Sequence, residues 1–462
     1  MENNGRDSLP TPHVLVFVGP GQGHMNPLLH FAKRLIFKGI KSTLAVTVFI
    51  SKSMQSDVGS IPIETISDGF DEGGFDSAGG AEAYNERFKD VGSRTLAEVI
   101  QKYEGSEYPF TCLVYDSFFP WVLDVAKRFG LEGASFVTQS CAVFAIYYHV
   151  RQECVTIPSA EQDTVVLPGL PPLGVTEFPS FIVDKESNNS YFFSMLLGQF
   201  SNLDKVDWVF INTFHDLESE VLSTLVGLWR VKTIGPSVPS VYLNKSVDGD
   251  TDLSLRKANT DAYLGWLDTK EAGSVVFISF GSLAKLGEEQ MEEVAKGLRE
   301  SKRNFLWVVR EKEKSKLPTK FEEDTSEYGL VVPWCSQLEV LNHRAVGCFV
   351  THCGWNSTLE ALSLGVSMVG IPQWSDQPTN AKCVESVWEV GVRAKVDIEK
   401  GIVRGEEIER CLKEVMEGVR GETIRKNTTR WKELAKKALD AGGSSDKNIE
   451  EFLDHLFKLK RS

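Results

Sequence analysis

The stretch WCSQLEVLNHRAVGCFVTHCGWNSTLEALSLGVSMVGIPQWSDQ, residues 334–377, decides how the chain is read. Within it Gly347-Cys348-Phe349-Val350 is an apolar run of the kind that forms a strand buried on both faces. His352-Cys353-Gly354 follows as a turn, and Trp355-Asn356-Ser357-Thr358 opens a helix with apolar residues at Leu359, Leu362 and Leu364. A helix that starts just after a strand leaves backbone N–H groups and a positive dipole end free to meet phosphate. Asn356, Ser357 and His352 add side-chain donors there. Glu360, one turn on, offers a carboxylate to ribose hydroxyls, and Trp334 offers a flat face to a base. Asp376-Gln377 follows a second apolar run, 368–371, and supplies paired partners for sugar hydroxyls. These residues point to a nucleotide or polyphosphate ligand.

Outward from this stretch, strands and helices alternate. Residues 13–18 read as a strand, Gly19 to Gly23 as a turn, and Met25 onward as a helix with Leu28, Leu29, Ala32, Leu35 and Ile36 on one face. Further strands are expected at 42–49, 61–66, 111–115, 134–137, 208–211 and 231–234, with helices at 81–103, 120–129 and 140–151. This half, residues 1–240, reads as a doubly wound α/β domain. Residues 236–260 are polar and rich in turn formers, which sets an interdomain linker at 241–260. A second α/β domain, 261–444, follows, with strands at 275–280, 305–309, 329–332, 347–350 and 367–371. Its helices are expected at 288–301, 406–415 and 423–438, and a last helix at 446–459 lies within the segment 445–462.

The chain has 462 residues, 42% hydrophobic and 25% charged, enough for two or three domains of ordinary soluble composition. Its net charge of −14 argues against nucleic acid or an anionic membrane as the main partner, since both need a cationic surface. Eight cysteines are scattered without a C-x-x-C pair and read as free thiols of a reducing compartment. No apolar stretch reaches the ~18 residues of a membrane span, and the first twelve residues lack an apolar signal region. A cytoplasmic, monomeric protein is expected. The run Asp248-Gly249-Asp250-Thr251-Asp252 resembles a metal-binding D-x-D, but it falls in the linker with no strand before it and reads as a solvated acidic loop.

Two residues of the first half stand out. His24 follows the first strand and its glycine-rich turn, and Asp116 follows the strand at 111–115. In an open α/β sheet ligands meet the carboxyl ends of strands, so the two could meet. By position alone His24 reads first as a capping or packing histidine, and Asp116 can be read as an N-cap. Neutral imidazole would suit deprotonation of a hydroxyl near pH 7.

On these residues the chain resembles the plant family 1 UDP-dependent glycosyltransferases. The resemblance runs through W-x-x-Q (Trp334, Gln337), H-C-G-W-N-S (His352 to Ser357), Glu360 and the closing D-Q (Asp376, Gln377), and through G-Q-G-H-x-N-P (Gly21 to Pro27). It departs at Ser336 and Ser367, where the family often has proline. WCSQLEV and GGSSDKNIEEF are most similar to the subgroup that glucosylates plant acids, steroids and triterpenes. The resemblance implies the GT-B fold, two Rossmann-like domains facing across a cleft, with the final helix packed back on the first.

It further implies UDP-glucose as co-substrate, with no metal or other cofactor, and His24 as the base oriented by Asp116. Uracil would stack on Trp334, ribose would meet Gln337 and Glu360, and glucose would meet Asp376 and Gln377. A terminal glutamine in this box goes with glucose more often than galactose. The diphosphate would meet His352, Asn356, Ser357 and Ser282, with Cys335, Gly354, Trp355 and Trp374 completing the donor site. The acceptor pocket is expected from Gly21, Phe118, Tyr191 and Phe193, an apolar lining that favours a flat or bulky acceptor. A steroid or triterpenoid hydroxyl is the first expectation. A small aromatic or indolic acid giving a glucose ester, or promiscuous action on phenolics and flavonoids, is the alternative.

Three rival readings are weaker. A nicotinamide enzyme would need G-x-G-x-x-G, but the third glycine here, Gly23, comes one place early, and no acidic residue ends the second strand. A binding protein without transfer would not need the whole donor box together with His24 and Asp116. A serine hydrolase would need a G-x-S-x-G elbow, which is absent.

Overall fold

The computed structural model describes residues 11–54, 61–157, 163–184, 190–243 and 260–460. Two all-parallel sheets organise them. The first has seven strands in the order 63–66, 41–47, 13–17, 112–116, 132–137, 208–211, 231–233. The second has six, in the order 329–332, 304–308, 275–279, 346–351, 367–370, 391–393. Strand residues point alternately to two faces, and here both faces are covered. Val14 and Val16 enter one apolar cluster and Leu15 and Phe17 the opposite one; Val275 and Phe277, and Val276 and Ile278, divide in the same way. This is the GT-B arrangement of two Rossmann-like units.

In each sheet the strand order reverses once. The reversal lies between 13–17 and 112–116 in the first sheet and between 275–279 and 346–351 in the second. Such switch points open a crevice at the carboxyl ends of the strands. His24, Asp116, Ser282 and His352 all follow strands that flank these two crevices.

The halves are fastened at several points. Trp355 Nε1 donates to the Asn212 carbonyl at 2.7 Å, and Trp388 Nε1 to that of Leu217 at 3.1 Å. A strap, residues 175–183, leaves the first half and docks beside residues 374–376. Ser375 N–H donates to Ser180 Oγ at 2.7 Å, and Ser180 N–H to the Ser375 carbonyl at 2.8 Å. Lys382 pairs with Glu177 at 2.9 Å, and Phe181 sets its ring edge-on to Trp374 at 5.7 Å between centroids.

Helix Ser444–Leu459 crosses back to the first sheet. Ile449, Phe452, Leu453 and Leu456, at helical spacing, join Val14, Val16, Trp208 and Phe210 in one cluster. Lys38 ties its start through Asp446 at 2.6 Å and Glu450 at 2.5 Å.

Three sequence expectations are corrected. The second strand stops at Thr47, whose hydroxyl accepts from Ile50 N–H at 3.3 Å and caps a short helix, Val48–Ser53, so Phe49 is helical and exposed. A sixth strand of the second sheet, Gly391–Arg393, was not anticipated. A helix at Tyr191–Gly198, capped by Ser190 Oγ, was likewise not anticipated. The linker at 241–260 lies almost wholly outside the described residues, as does 248–252. All eight cysteines are free, and only Cys154 is exposed. Among the described residues no helix is long and apolar enough to cross a membrane.

Candidate active site

The glycine-rich turn brings His24 onto the first turn of helix Gln22–Phe37. A Cβ at Gly19 would stand 2.4 Å from Asp116 Oδ2 and 2.7 Å from the Phe119 ring, so only glycine lets the turn lie against the end of strand 112–116. His24 Nδ1 then sits 2.9 Å from Asp116 Oδ2, and Thr138 Oγ1 lies 3.1 Å from the same nitrogen. Asp116 is fully buried, and its other oxygen accepts from Phe118 N–H at 3.2 Å. The His24 side chain keeps 28% of its surface exposed. With Nδ1 engaged, Nε2 is the nitrogen available to a ligand.

Burial is the largest single influence on His24 and pulls its pKa down. The charge and hydrogen bond of Asp116, with the more distant charge of Asp376, outweigh it, and the net result is a pKa above the ordinary histidine value.

His24 borders a cavity of about 660 Å³ between the two halves, within the range of small-molecule sites. Gly21 and Phe118 lie on the same wall, with the Phe118 and His24 rings 4.8 Å apart between centroids. Across the cleft, strand 346–351 ends at His352. Its ring packs against two glycines: a Cβ at Gly354 would come 2.5 Å from Nε2, and one at Gly281 2.8 Å from Nε2. Burial lowers the His352 pKa to about 4, so it is a neutral imidazole at pH 7. Cys353 between them takes a positive φ of 60°, unusual for a residue with a side chain.

Helix Trp355–Leu364 starts at the cavity, as the sequence led one to expect. Asn356 Nδ2 donates to the Gly23 carbonyl at 2.7 Å, joining the two crevices directly. Gln337 Nε2 donates to Ser357 Oγ at 2.9 Å and to Glu360 Oε2 at 2.7 Å. Trp334 and Trp374 stand half-buried on the wall. Ser282 is exposed at the rim, its carbonyl held by Arg310, which also pairs with Glu313. Asp376 accepts from Asn380 Nδ2 at 2.6 Å, and burial raises its pKa despite that bond. Gln377 Oε1 accepts from the N–H groups of Gln373 at 2.8 Å and Trp374 at 3.1 Å, which orients its amide.

The structure therefore brings the expected donor-side residues to one cavity, Asp116 standing behind His24. Trp355 and Cys335 reach its wall but are only 4% and 6% exposed, with their bulk in the core; Trp355 serves chiefly as a bridge to Asn212. Tyr191 and Phe193 are corrections. Helix 191–198 presents Phe192, Met195 and Leu196 to the cleft, spaced as one helical face. Tyr191 turns instead to a second cavity, and Phe193 packs among Phe178, Phe181 and Leu196. Thr138, Gln139, Phe181 and Arg310 were missed, although Thr138 follows the strand at 132–137 and that position was the available signal.

The family model described as UDP-glucoronosyl and UDP-glucosyl transferase matches residues 143–438. The flavonol 7-O-beta-glucosyltransferase UGT74F1 of Arabidopsis thaliana is 48% identical, over 96% of this chain and 98% of its own. The mogroside I-E synthase of Siraitia grosvenorii is also 48% identical, with the same 96% and 98% coverage. The crystal structure of Os79 from O. sativa in complex with UDP superposes with a TM-score of 0.90 at 39% identity, over 96% of this chain and 100% of that one. Together with the two facing crevices and the residues that line them, these likenesses establish that the chain belongs to the plant family 1 UDP-glycosyltransferases, in the UGT74 group.

Proposed function

We propose that this UDP-glucosyltransferase forms a β-glucoside on a hydroxyl of a hydrophobic metabolite, a steroid or triterpenoid. The observation that carries the reading is His24: Nδ1 is engaged by the buried Asp116, and the ring borders the cleft that also holds the expected donor residues. An apolar wall of Phe118, Phe181, Phe192, Met195 and Leu196 beside it supports a bulky acceptor. Relatives named for a flavonol or a mogroside, and one crystallised with a trichothecene, differ in acceptor, so none of those names carries over alone.

The reaction is one displacement. Nε2 of His24 takes the proton of the acceptor hydroxyl, and the oxygen forms a bond to the anomeric carbon of α-linked UDP-glucose. The bond from that carbon to the diphosphate oxygen breaks, UDP leaves with the electron pair, and the configuration inverts. Asp116 stabilises the imidazolium that results. Charge on the departing diphosphate meets Asn356, Ser357, His352 and the N–H groups opening helix 355–364. Trp334 stacks on uracil, Gln337 and Glu360 hold ribose, and Asp376 and Gln377 read glucose.

The test is UDP release from UDP-glucose with a hydroxysteroid, a triterpenol, a flavonol and an aromatic acid. Turnover of the first two supports the reading. Turnover of the aromatic acid alone overturns it in favour of ester formation, where an ionised carboxylate needs no base. Turnover of the flavonol alone points to a phenolic acceptor.

A further inference from the structure

Asp376 stands at the N-cap of helix Gln377–Ser386, a position from which an aspartate ordinarily turns back to cap the first N–H groups. Its side chain makes no such cap. The carboxylate accepts instead from Asn380 Nδ2 at 2.6 Å, one helical turn on. Asp376 borders the cleft, and Asn380, only 1% exposed, lies behind it.

The Asn380 amide is fully committed. Its Nδ2 also donates to the Cys353 carbonyl at 3.0 Å, and its Oδ1 accepts from Ser140 Oγ at 3.3 Å. Both partners of Nδ2 are acceptors only, so the amide has a single orientation. Cys353 is the positive-φ residue beside His352, and Ser140 is the N-cap of helix Cys141–Arg151 in the first half, next to Thr138 and Gln139 on the cleft wall. One buried amide thus joins the carboxylate at the cleft to the turn that opens helix 355–364 and to the opposite half. Burial is the largest influence on the Asp376 carboxyl and favours its neutral form, while the bond from Asn380 is among those that favour the charged form. A carboxylate is an acceptor at both oxygens, which suits it to sugar hydroxyls better than a neutral carboxyl.

We propose that Asn380 is a positioning residue of the donor site: it aims the Asp376 carboxylate at the sugar and sets how much of the donor's affinity comes from the sugar rather than from UDP. Asn380 touches no substrate and acts through Asp376. This role rests on the reading of Asp376 as a partner of glucose and deepens it.

Calorimetric titrations with UDP and with UDP-glucose, acceptor absent, separate the two parts of the donor. Asn380→Leu keeps the volume and removes the bond. Its Kd for UDP-glucose should rise about tenfold, the scale of one hydrogen bond to a charged group, while its Kd for UDP stays at the wild-type value. Asn380→Asp has the same shape, keeps the acceptor for Ser140, and serves if the leucine variant does not fold. Protonated, its new carboxyl can donate to Asp376; ionised, it repels it. Its loss of UDP-glucose affinity relative to wild type should therefore be small in mild acid and grow as pH rises, a trend that a merely structural defect would not produce. Wild-type affinity for UDP-glucose in Asn380→Leu overturns the proposal, as does equal weakening toward UDP and UDP-glucose, or a pH-independent loss in Asn380→Asp. Asp376→Ala tests the donor reading beneath it. Wild-type UDP-glucose affinity in that variant would refute Asp376 as a sugar partner and the positioning role with it, whereas a loss there but not in Asn380→Leu would refute the positioning role alone.

Discussion

Gly354→Ala isolates the role of the His352 ring. Gly354 is the N-cap of helix 355–364 with φ −60° and ψ 146°, a backbone conformation that alanine adopts without strain. The effect of the substitution is therefore steric. The new Cβ would lie 2.5 Å from His352 Nε2, against ordinary contact from 3.4 Å, so the ring must retreat by about 0.9 Å. Gly281 also packs close to the ring, where an added Cβ would stand 2.8 Å away, so the room for retreat is limited. A displacement of about 1 Å in a reacting constellation costs on the order of 10²-fold in rate, or about 2.7 kcal/mol. Steady-state UDP release should show kcat/KM for UDP-glucose down about 100-fold, with a melting temperature close to wild type. Wild-type kcat/KM in a folded Gly354→Ala protein would refute the assignment of His352 to the diphosphate.

Other perturbations address the remaining parts. His24→Ala should lose transfer to hydroxyls by about 10²–10⁴-fold, the usual worth of a general base, while a calorimetric titration with UDP stays unchanged; near-normal turnover would rule out the base role. The acid limb of the wild-type pH–rate profile should lie above the ordinary histidine value, because the raised pKa keeps His24 protonated to higher pH, where it cannot accept a proton. Asp116→Asn removes the two largest influences that raise it and leaves burial opposed only by the charge of Asp376, so that limb should move to lower pH; an unmoved limb would show that Asp116 does not act on the base. Ser180→Ala takes away the oxygen that receives Ser375 N–H. Loss of one such bond, about 1 kcal/mol, should raise KM for UDP-glucose about fivefold without changing Kd for UDP, and an equal effect on both would place the strap elsewhere in the cycle. Lys38→Ala should lower stability by about 1 kcal/mol, read by urea unfolding. Burial acts to raise the Asp446 pKa, but the Lys38 hydrogen bond, the Gly442 N–H bond and the charges of Lys38 and Arg34 prevail and lower it. That stabilisation is present above the ordinary carboxylate pKa and is lost as pH falls through the depressed value, so the wild type and Lys38→Ala should converge in acid.

Residues 334–377 made the second crevice legible because each part of a nucleotide needs a distinct chemical partner, and Trp334, Asn356, Ser357, Glu360 and Asp376 offer such different chemistries within one short stretch, all on the wall of one cavity. The sheets were legible because a strand covered on both faces must be apolar throughout, as in 13–17 and 275–279. Gly391–Arg393 escaped because three residues, one of them glycine and one arginine, carry no periodic signal. Helix 191–198 shows a different obstacle. YFFSMLLG is apolar on nearly every side, so nothing in its pattern says that Phe192, rather than Tyr191 or Phe193, meets the cleft. That depends on how the helix is rotated against Phe118 and Phe181. Bonds such as Trp355 to Asn212 were equally hidden, since a backbone carbonyl leaves no mark in the sequence.

Helix 444–459 also bears on how the protein is made. The face of the first sheet that carries Val14, Val16, Trp208 and Phe210 is finished by side chains translated after the whole second sheet. At roughly 5–20 residues per second, the more than two hundred residues in between take roughly 10–40 s to emerge from a ribosome. Through that interval the first domain carries a bare apolar strip, the kind of surface that chaperones bind and that nascent chains use to misassociate. The same helix that completes the mature fold therefore makes correct folding of the first domain wait for nearly the entire chain.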